Sequence, residues 1–336
     1  MRSHLLKFGL GVILFITVGL LFVFWSISAV PTKTIINTTS PTYLDVSKGS
    51  TAQSVMRELV EKGHIQPNIW YRWWLRSNPK LDRIKSGWYT LRSPMTLLDL
   101  FNDLYAGAVT EHSITLVEGK TTWQWLAQMA ATQTISIDVT YDPQTYRYVT
   151  DDGEVLTEGY FAPETYRYSH LASASGILKQ AAQRQQTQLQ TLLAETPRSA
   201  LLKDNHALLT LASIVEKETG QADERPIIAG VFFNRLQKKM RLQTDPTIIY
   251  GIGPAFNGDI TYADLRGKTP YNTYVIKGLP PTPIANPSLA SLQAVLQPAP
   301  TDALYFVAKG DGSHVFSHTL AEHNRAVQTY QLRQQP

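Results

Sequence analysis

The feature that most constrains this chain is a run of 23 residues without a charge, "FGLGVILFITVGLLFVFWSISAV", at positions 8–30. A helix of about 20 apolar residues is long enough to cross the hydrocarbon core of a membrane. Arg2 and Lys7 precede the run, so residues 1–7 are predicted to form a cytoplasmic tail and the remainder to be periplasmic or extracellular. The run therefore predicts a single-pass helix in the inner (cytoplasmic) membrane.

The alternative for the same run is a cleaved signal peptide. The apolar region of a signal peptide usually has about 7–15 residues and is followed by small residues at the cleavage site. The run in this chain is longer, and Ile27 stands where a small residue would be required. We therefore expect an anchor that stays attached to the chain.

The rest of the 336 residues is long enough for two domains of ordinary size, each with its own core. The charges are nearly balanced, with 31 Lys and Arg against 27 Asp and Glu, so no nucleic-acid partner is expected. The chain has no cysteine, which excludes disulfides, thiolate metal sites and cysteine nucleophiles.

A small α+β module follows a polar, turn-rich linker at 31–41. Alternating apolar residues predict strands at 43–46 and 86–91, and helical spacing predicts three helices between Thr51 and Gly107. The second of these helices carries Trp70, Trp73 and Trp74. Aromatic residues at helical spacing more often belong to a core than to a sugar-binding platform, so the core is the favoured interpretation.

A larger mixed α+β region follows from about residue 111. Residues 133–168 are predicted to be irregular, and residues 241–287 to form loops that serve as functional walls, because they are rich in proline, glycine and tyrosine. Helices are predicted at 175–195, from Asn205, from Arg225 and near the C-terminus, and strands within 304–318.

The helix from Asn205 ends in "LASIVEKETG", which contains two glutamates. With about 100° per residue, Glu218 falls inside the apolar arc of this helix, beside Ile214 and Val215, whereas Glu216 falls at its edge and Lys217 points away. Partial burial raises the pKa of a carboxyl and keeps it protonated, which suits a general acid. The alternative is that the helix simply ends here and both glutamates are solvated.

Six motifs then occur in a fixed order: "EKET", "LQTDPT", "YNTY", "GLPPTPIANP", "LYFVAKGDGSHVFSHT" and "EHN". Together they resemble the YceG-like family of membrane-anchored endolytic murein transglycosylases, over nearly the whole chain. The resemblance implies an anchor at 8–30, a LysM-like module at 42–110 and a catalytic domain at 111–333. Thr282 and Ser288 depart from the family pattern, because both stand where glycine is common.

The resemblance also implies the reaction, which is cleavage of the β-1,4 bond between N-acetylmuramic acid and N-acetylglucosamine within glycan strands. The catalytic acid would be the helix-borne Glu218, which precedes Thr219. One carboxylate is enough, because the C6 hydroxyl of the sugar is the nucleophile and a 1,6-anhydro end forms. The residues expected to bind substrate in the cleft are Gln243, Thr244, Asp245, Tyr271, Asn272 and Tyr274.

Asp245 leaves two alternatives open, since it could be a second carboxylate or could cap the turn "TDPT". With a second carboxylate the protein would be a hydrolytic muramidase. A third possibility is a non-enzymatic wall-binding scaffold that acts through the LysM-like module.

No cofactor and no metal is expected. His314, His318 and His323 invite a zinc site by their spacing, but a tetrahedral site would need a further ligand. The expected partners are peptidoglycan glycan strands, the membrane and the cell-wall synthesis machinery, with penicillin-binding proteins as candidates.

Overall fold

The computed structural model describes residues 2–35 and 42–332. The chain divides into two compact units, Met1–His112 and Ser113–Pro336. Helices and strands occur in both units, so the prediction of a mixed α+β chain with an N-terminal apolar helix is confirmed.

The elements of the first unit are, in chain order, α1 (Arg2–Ser28), β1 (Thr42–Val46), α2 (Ala52–Glu61), α3 (Tyr71–Ser77), a 3-10 turn (Pro79–Asp82), β2 (Gly87–Leu91) and α4 (Leu97–Ala106). β1 and β2 pair antiparallel, and their buried residues meet those of α2 and α4 in one core. Thr51 and Thr96 each form a capping box at the start of a helix, and Gly107 ends α4 in the left-handed conformation. Local sequence signals therefore account for these helix ends.

Within the described residues, Lys7–Ser28 is a helix long and apolar enough to cross a membrane. The helix begins at Arg2, and Met1 lies outside the described residues. The segment that follows α1 is hydrogen-bonded to the start of α4. The N–H of Ile35 donates to the carbonyl of Met95 (2.8 Å), and the N–H of Leu97 donates to the carbonyl of Lys33 (3.0 Å). The start of the predicted linker is thus fixed to α4, and its residues 36–41 lie outside the described residues.

The tryptophans of α3 do not all belong to the core. Trp74 is 4% exposed and packs edge-on against Phe101, whereas Trp73 is 53% exposed and lies under the guanidinium of Arg76. The core interpretation is therefore right for Trp74 and wrong for Trp73. The spacing could not separate them, because neighbouring residues on a seven-residue helix differ by about 100° and only packing decides which is covered.

The elements of the second unit are β3 (Glu111–Leu116), α5 (Thr122–Ala130), β4 (Ile135–Ser136), β5 (Val139–Asp142), β6 (Arg147–Thr150), β7 (Val155–Thr157), β8 (Glu164–Ser169), β9 (Ala172–Ser173), α6 (Ala174–Glu195), α7 (Asn205–Glu218), α8 (Arg225–Gln237), α9 (Asp245–Ile252), α10 (Tyr262–Arg266), α11 (Leu289–Leu296), β10 (Tyr305–Ala308), β11 (His314–Ser317) and α12 (Leu320–Val327). A 3-10 turn (Gly253–Ala255) follows α9, and a π-helical turn (Gln328–Leu332) follows α12. β3 crosses the boundary between the units, because its first two residues, Glu111 and His112, belong to the first unit.

The prediction that residues 133–168 are irregular is wrong. β5, β6 and β7 form a three-stranded antiparallel sheet, β4 pairs with β9, and β3 pairs with β8. Each strand has only two to six residues, so the alternation of buried and exposed positions is too brief to stand out in the sequence.

The helices that position the candidate site are α7, α8 and α11, which pack on one another around a core that includes Leu211, Phe232 and Leu292. α9 lies within residues 241–287, which were predicted to form loops, and α11 lies where no helix was predicted. Each has eight residues, and α9 begins with Asp245 and a proline, a composition that also suits a turn. The hairpin of β10 and β11 and the helix α12 follow, as predicted.

Candidate active site

α7 carries the candidate acid to the edge of a cleft. The side chain of Asp204 caps the helix, and every residue from Leu208 to Val215 is buried. Thr219 has an extended backbone, and its hydroxyl accepts from the N–H of Gln221 (2.9 Å), which ends the helix at Glu218. The last helical residue is therefore held rigidly while its side chain faces the cleft.

Glu218 is partly buried, and the hydroxyl of Thr244 donates a hydrogen bond to its Oε1. Burial raises the pKa of Glu218 to about 7, while the bond from Thr244 opposes the shift. The charge of Asp245 raises the pKa further, whereas His314 and Arg235 lower it. The negative end of the α7 dipole also disfavours the ionised form. Glu218 is thus poised to give or take a proton near neutral pH.

Glu216 points to a different part of the unit. Its Oε2 accepts from the N–H of Ser288 (3.0 Å), the hydroxyl of Ser288 (2.5 Å) and the hydroxyl of Ser291 (2.6 Å), at the N-terminus of α11. An anion is favoured at this end of a helix. Lys217 lies on a third side, where its Nζ donates to the carbonyl of Gly119 (3.2 Å). Glu216 therefore ties α7 to α11 and does not line the cleft.

The cleft has a volume of about 550 Å³. Its walls come from the end of α7, from α8, from the segment before α9, from the β10–β11 hairpin and from α12. The polar and aromatic residues of the walls are Glu218, Arg235, Gln243, Thr244, Asp245, Tyr274, Tyr305, Phe306, His314, His323, Asn324 and Gln331. A cavity of this size, with several hydrogen-bonding groups and rings, can hold a sugar unit.

The segment 243–245 forms the wall next to Glu218. Gln243 has a φ of +52°, which costs a residue with a side chain about 1 kcal/mol and is common where a binding site is held in place. Thr244 is the N-cap residue of α9, but its hydroxyl bonds to Glu218 and not to the helix. Asp245 is exposed, and its Oδ1 accepts from the hydroxyl of Tyr274 (2.7 Å). The structure thus brings Gln243, Thr244, Asp245 and Tyr274 together with Glu218.

Tyr271 and Asn272 are placed elsewhere. Tyr271 is 1% exposed, and its hydroxyl is 2.6 Å from that of Thr282. Asn272 is also buried; its Nδ2 donates to the carbonyls of Asp264 (2.9 Å) and Gly267 (2.7 Å), and its Oδ1 accepts from the N–H of Tyr274 (3.0 Å). The polar groups of these two side chains form hydrogen bonds within the protein and stabilise the loop that carries Tyr274.

Arg235, which was not predicted as a site residue, also lines the cleft. Its guanidinium donates to the carbonyls of Leu304 (2.6 Å) and Leu242 (2.6 Å) and lies 5.1 Å from the ring of Tyr305. The spacing did contain a signal, because Arg235 follows the buried Phe232 by three residues and so shares its face of α8. A buried cation is stable only near a group of opposite charge, and the guanidinium of Arg235 interacts with the charge of Glu218.

The three histidines have three different surroundings. Nδ1 of His314 lies 2.6 Å from Oε2 of Glu224; although burial raises the pKa of Glu224, the bonds from His314 hold it below its usual range. His318 pairs with Asp302 (2.8 Å), and His323 stacks on Tyr305 at 5.3 Å between ring centres. Within the described residues no three His, Asp or Glu side chains group in a way that could hold a metal ion.

A further glutamate with a raised pKa lies outside the cleft lining. Glu158 is fully buried, and its carboxylate accepts from the hydroxyls of Thr122 (2.7 Å) and Tyr148 (2.7 Å) and from Nδ2 of Asn286 (2.9 Å). Burial raises the pKa of Glu158 to about 7, and the bonds from Tyr148 and Thr122 oppose the shift. Its partners come from α5, from β6 and from the loop before α11, so it joins three parts of the unit.

Comparisons with known proteins cover most of the chain. The pattern that defines the YceG-like family matches residues 44–329. An endolytic murein transglycosylase of Bacillus subtilis (strain 168) is 42% identical over 174 residues, 52% of this chain and 48% of that protein. A protein of the same name from Streptococcus pneumoniae (strain ATCC BAA-255 / R6) is 28% identical over 317 residues, 84% of this chain and 57% of that protein. The chain thus spans about half the length of the curated relatives it matches.

One solved structure is similar to the chain as a whole. It is a YceG-like protein of Listeria monocytogenes, with 29% identity and a TM-score of 0.53. The likeness covers 86% of this chain and 99% of that one.

Proposed function

Because the chain belongs to the YceG-like family, we propose that it is an endolytic lytic transglycosylase of peptidoglycan. Its substrate would be the β-1,4 bond between N-acetylmuramic acid and N-acetylglucosamine within a glycan strand. The names of the similar proteins from Bacillus subtilis and Streptococcus pneumoniae support this substrate.

The observation that carries the proposal is the position and the raised pKa of Glu218. It is a partly buried carboxyl with a pKa raised to about 7 by burial, on the wall of a 550 Å³ cleft. A general acid is most effective when its pKa lies near the working pH, so Glu218 has the properties that protonation of a glycosidic oxygen requires.

In the proposed reaction, protonated Glu218 gives its proton to the oxygen of the scissile bond, and the bond between that oxygen and C1 of the muramic acid breaks. The C6 hydroxyl of the same sugar bonds to C1, and its proton returns to the Glu218 carboxylate. The bond from Thr244 engages Oε1, which leaves Oε2 to carry the proton. No water is consumed, and the product is a 1,6-anhydro end.

The charges around Glu218 suit this cycle. Arg235 and His314 both favour the ionised carboxylate, which forms when the proton has left. At that moment the sugar carries developing positive charge, and a nearby carboxylate stabilises it. Gln243, Asp245 and Tyr274 offer amide, carboxylate and hydroxyl groups to the acetamido and hydroxyl groups of the substrate, and Tyr305 offers a ring face.

The proposed place of action is the outer face of the cytoplasmic membrane. The apolar helix would span the membrane once and hold the catalytic unit in the periplasm or outside the cell, with the LysM-like module at 42–110 between them. The basic residues Arg2 and Lys7 before the helix support this orientation.

A hydrolytic muramidase is the second candidate, and one observation favours it. Asp245 lines the same cleft as Glu218 and directly follows Thr244, whose hydroxyl bonds to Glu218. A hydrolase uses such a pair, one as acid and one as nucleophile or base. The hydroxyl of Tyr274 already occupies one oxygen of Asp245, which favours a binding role for Asp245 over a catalytic one.

The test is digestion of purified glycan strands with the wild-type chain and with Glu218→Gln, Glu216→Gln and Asp245→Asn. Loss of general acid catalysis typically costs about 10²–10⁴-fold in rate, and we expect at least this for Glu218→Gln. Mass analysis of the new ends separates the two enzyme classes, because an anhydro end is lighter than a hydrolysed end by one water. Undiminished activity of Glu218→Gln would refute the proposed role of this residue.

The controls use the same strands. Glu216→Gln should stay active, because that side chain contacts α11 and not the cleft. Hydrolysed ends together with an inactive Asp245→Asn would establish the muramidase. Strands that stay intact with folded wild-type protein would indicate the non-enzymatic scaffold.

A further inference from the structure

The exposed side of α3 combines aromatic, aliphatic and basic side chains. Trp73 is 53% exposed, Ile69 is 78% exposed, and Arg72 and Arg76 are exposed beside them. Residues 62–81 contain four Lys or Arg and no Asp or Glu. In the described part of the chain, no salt bridge involves Arg72 or Arg76. We define Ile69, Arg72, Trp73 and Arg76 as the α3 surface.

The α3 surface adjoins the end of the apolar helix within the same unit. α1 contacts α3, and Ser26 is buried, whereas nearly all the side chains of residues 7–25 are exposed. Trp70, at the start of α3, and Ile27 of α1 pack against the same core. The C-terminal end of α1 therefore packs against the helix that carries the α3 surface.

A groove beside the α3 surface has the same mixed chemistry. It has a volume of about 540 Å³ and lies between α2 and α3, where Met56, Val60 and Ile69 supply apolar walls. Arg57 and Arg72 lie at its sides. Tryptophan and arginine are the side chains that proteins place at the level of lipid headgroups, with apolar atoms inward and charge toward phosphate.

We propose that the α3 surface docks on the anionic headgroups of the membrane that α1 crosses. The proposal rests on the membrane anchor of the proposed function, and it extends that function by fixing the orientation of the module on the bilayer. Trp73 and Ile69 enter the headgroup region, and Arg72 and Arg76 bind lipid phosphates. Each basic residue near an anionic membrane multiplies the ratio of membrane-bound to unbound protein about fivefold.

Charge and continuity favour the membrane over a glycan strand as the occupant. Glycan hydroxyls do not select for arginine, whereas a row of basic side chains without acidic ones is suited to an anionic surface. An aliphatic residue as exposed as Ile69 has no partner on a sugar ring edge, but it gains free energy in the acyl boundary of a bilayer.

The absence of cysteine in the chain allows a clean experiment with single labels. An environment-sensitive fluorophore is attached at Ser77→Cys beside the α3 surface, at Tyr105→Cys on α4 for comparison, and at Phe15→Cys in the middle of α1. The full chain is placed in bilayer discs of phosphatidylcholine with or without phosphatidylglycerol, and each disc contains a lipid that quenches at headgroup depth or at the bilayer centre.

We expect headgroup-depth quenching at Ser77 that greatly exceeds that at Tyr105 and depends on phosphatidylglycerol. Trp73→Ala, or Arg72→Gln together with Arg76→Gln, should reduce it; loss of both arginines should lower the docked-to-undocked ratio about 25-fold. The matched controls are Tyr105→Ala, an exposed aromatic residue, and Lys48→Gln, an exposed basic residue. All these positions are exposed, so we expect every variant to fold as the wild-type chain does.

Equal quenching at Ser77 and Tyr105, with deep quenching at Phe15, would overturn the docking and leave the anchor intact. A Phe15 label that is not quenched would overturn both the anchor and the docking. A Ser77 signal that responds to purified glycan strands in detergent, and not to lipid, would assign the surface to the glycan instead. Glycan cleavage is not part of the readout, so failure of the proposed reaction would not alter these results.

Discussion

The contact between Thr244 and Glu218 links two properties of the candidate acid. The threonine hydroxyl fixes one carboxylate oxygen, and it also stabilises the ionised form, which opposes the effect of burial on the pKa. Thr244 can do this because it is the N-cap residue of α9 and its own N–H donates to the hydroxyl of Thr273 (3.1 Å). The position of the proton donor and its acidity therefore depend on the same side chain.

We expect Thr244→Val to raise the pKa of Glu218 above about 7, because the carboxylate loses a donor while its burial stays. A general acid is active when protonated, so the alkaline limb of the pH–rate profile should move to higher pH. The measurement is the rate of anhydro-end formation from about pH 5 to pH 9. Thr244→Ser keeps the hydroxyl and should leave the limb in place; an unmoved limb in Thr244→Val would exclude this coupling.

At the residue scale, helix periodicity predicted the side-chain directions in α7, whereas the family resemblance, and not periodicity, pointed to Gln243, Thr244, Asp245 and Tyr274 in the cleft. The directions of Glu216, Lys217 and Glu218 differ by about 100° each on a helix, whatever surrounds them. The surroundings of Asn272 could not be read in this way, because its partners are the carbonyls of Asp264 and Gly267 in an irregular loop. The burial of Trp74 but not Trp73 likewise depends on Phe101 in another helix.

At the scale of secondary-structure elements, Glu216 connects two helices that are far apart in the sequence. Its carboxylate receives the N–H and hydroxyl of Ser288 and the hydroxyl of Ser291, so the C-terminal end of α7 is fixed to the N-terminus of α11. Ser288 also caps α11, since its hydroxyl accepts from the N–H of Ser291 (3.2 Å). Ser288, where the family resemblance led us to expect glycine, therefore has a structural role in this chain.

We expect Ser288→Ala to lower the free energy of unfolding by about 1–2 kcal/mol, the usual effect of losing a helix cap. Glu216→Gln should cost a similar amount, because the charge at the helix N-terminus is lost. Urea titration of the two single variants and the double variant measures the coupling between them. If the two effects simply add, the contact between these side chains does not stabilise the unit, because coupled partners are not additive.

Elements with their own end signals were predictable from sequence, and elements without them were not. α4 has a capping box at Thr96 and a left-handed Gly107, and both its limits were expected. The sheet of β5 to β7 depends on pairing between short strands, such as Val139 with Thr150, which no single strand reveals. α9 starts with aspartate and proline, and only its packing against α7 makes it a helix rather than a turn.

At the scale of the whole molecule, two carboxyls make folding depend on pH. Burial raises the pKa of both Glu158 and Glu218 from 4.5 to about 7 in the folded chain. Between these values the folded state holds protons that the unfolded state has released. The stabilisation is therefore complete below about pH 4.5 and is lost as the pH rises toward and through 7.

We expect the free energy of unfolding to fall from pH 5 to pH 8, with a contribution from Glu158 of about 1–3 kcal/mol, since one pKa unit corresponds to about 1.4 kcal/mol. Glu158→Gln cannot ionise and should flatten this dependence. Urea titrations at a series of pH values provide the measurement, with the exposed Glu195→Gln as control. A slope that is the same in Glu158→Gln and in wild type would contradict the role of this buried carboxyl.

The proposed membrane orientation of the chain predicts where its C-terminal end lies. We expect a phosphatase reporter, which is active only outside the cytoplasm, to be active when fused after Pro336. A reporter that fluoresces only in the cytoplasm should be dark at the same position. Moving Arg2 and Lys7 to the far side of the apolar run should weaken or reverse this pattern, because basic residues set the orientation. Cytoplasmic fluorescence from membrane-inserted wild-type protein would show the opposite topology.

The residues that line the cleft are spread along the sequence from Glu218 to Gln331, and this order has a consequence for biosynthesis. Glu218 is translated before α11, which fixes the helix that carries it, and before α12, which closes the far wall. A nascent chain that has released only α7 has the glutamate without the site. Under the proposed function, glycan cleavage therefore requires that α12 has left the ribosome, so a nascent chain that lacks α12 cannot cleave the polymer beside which it is being delivered.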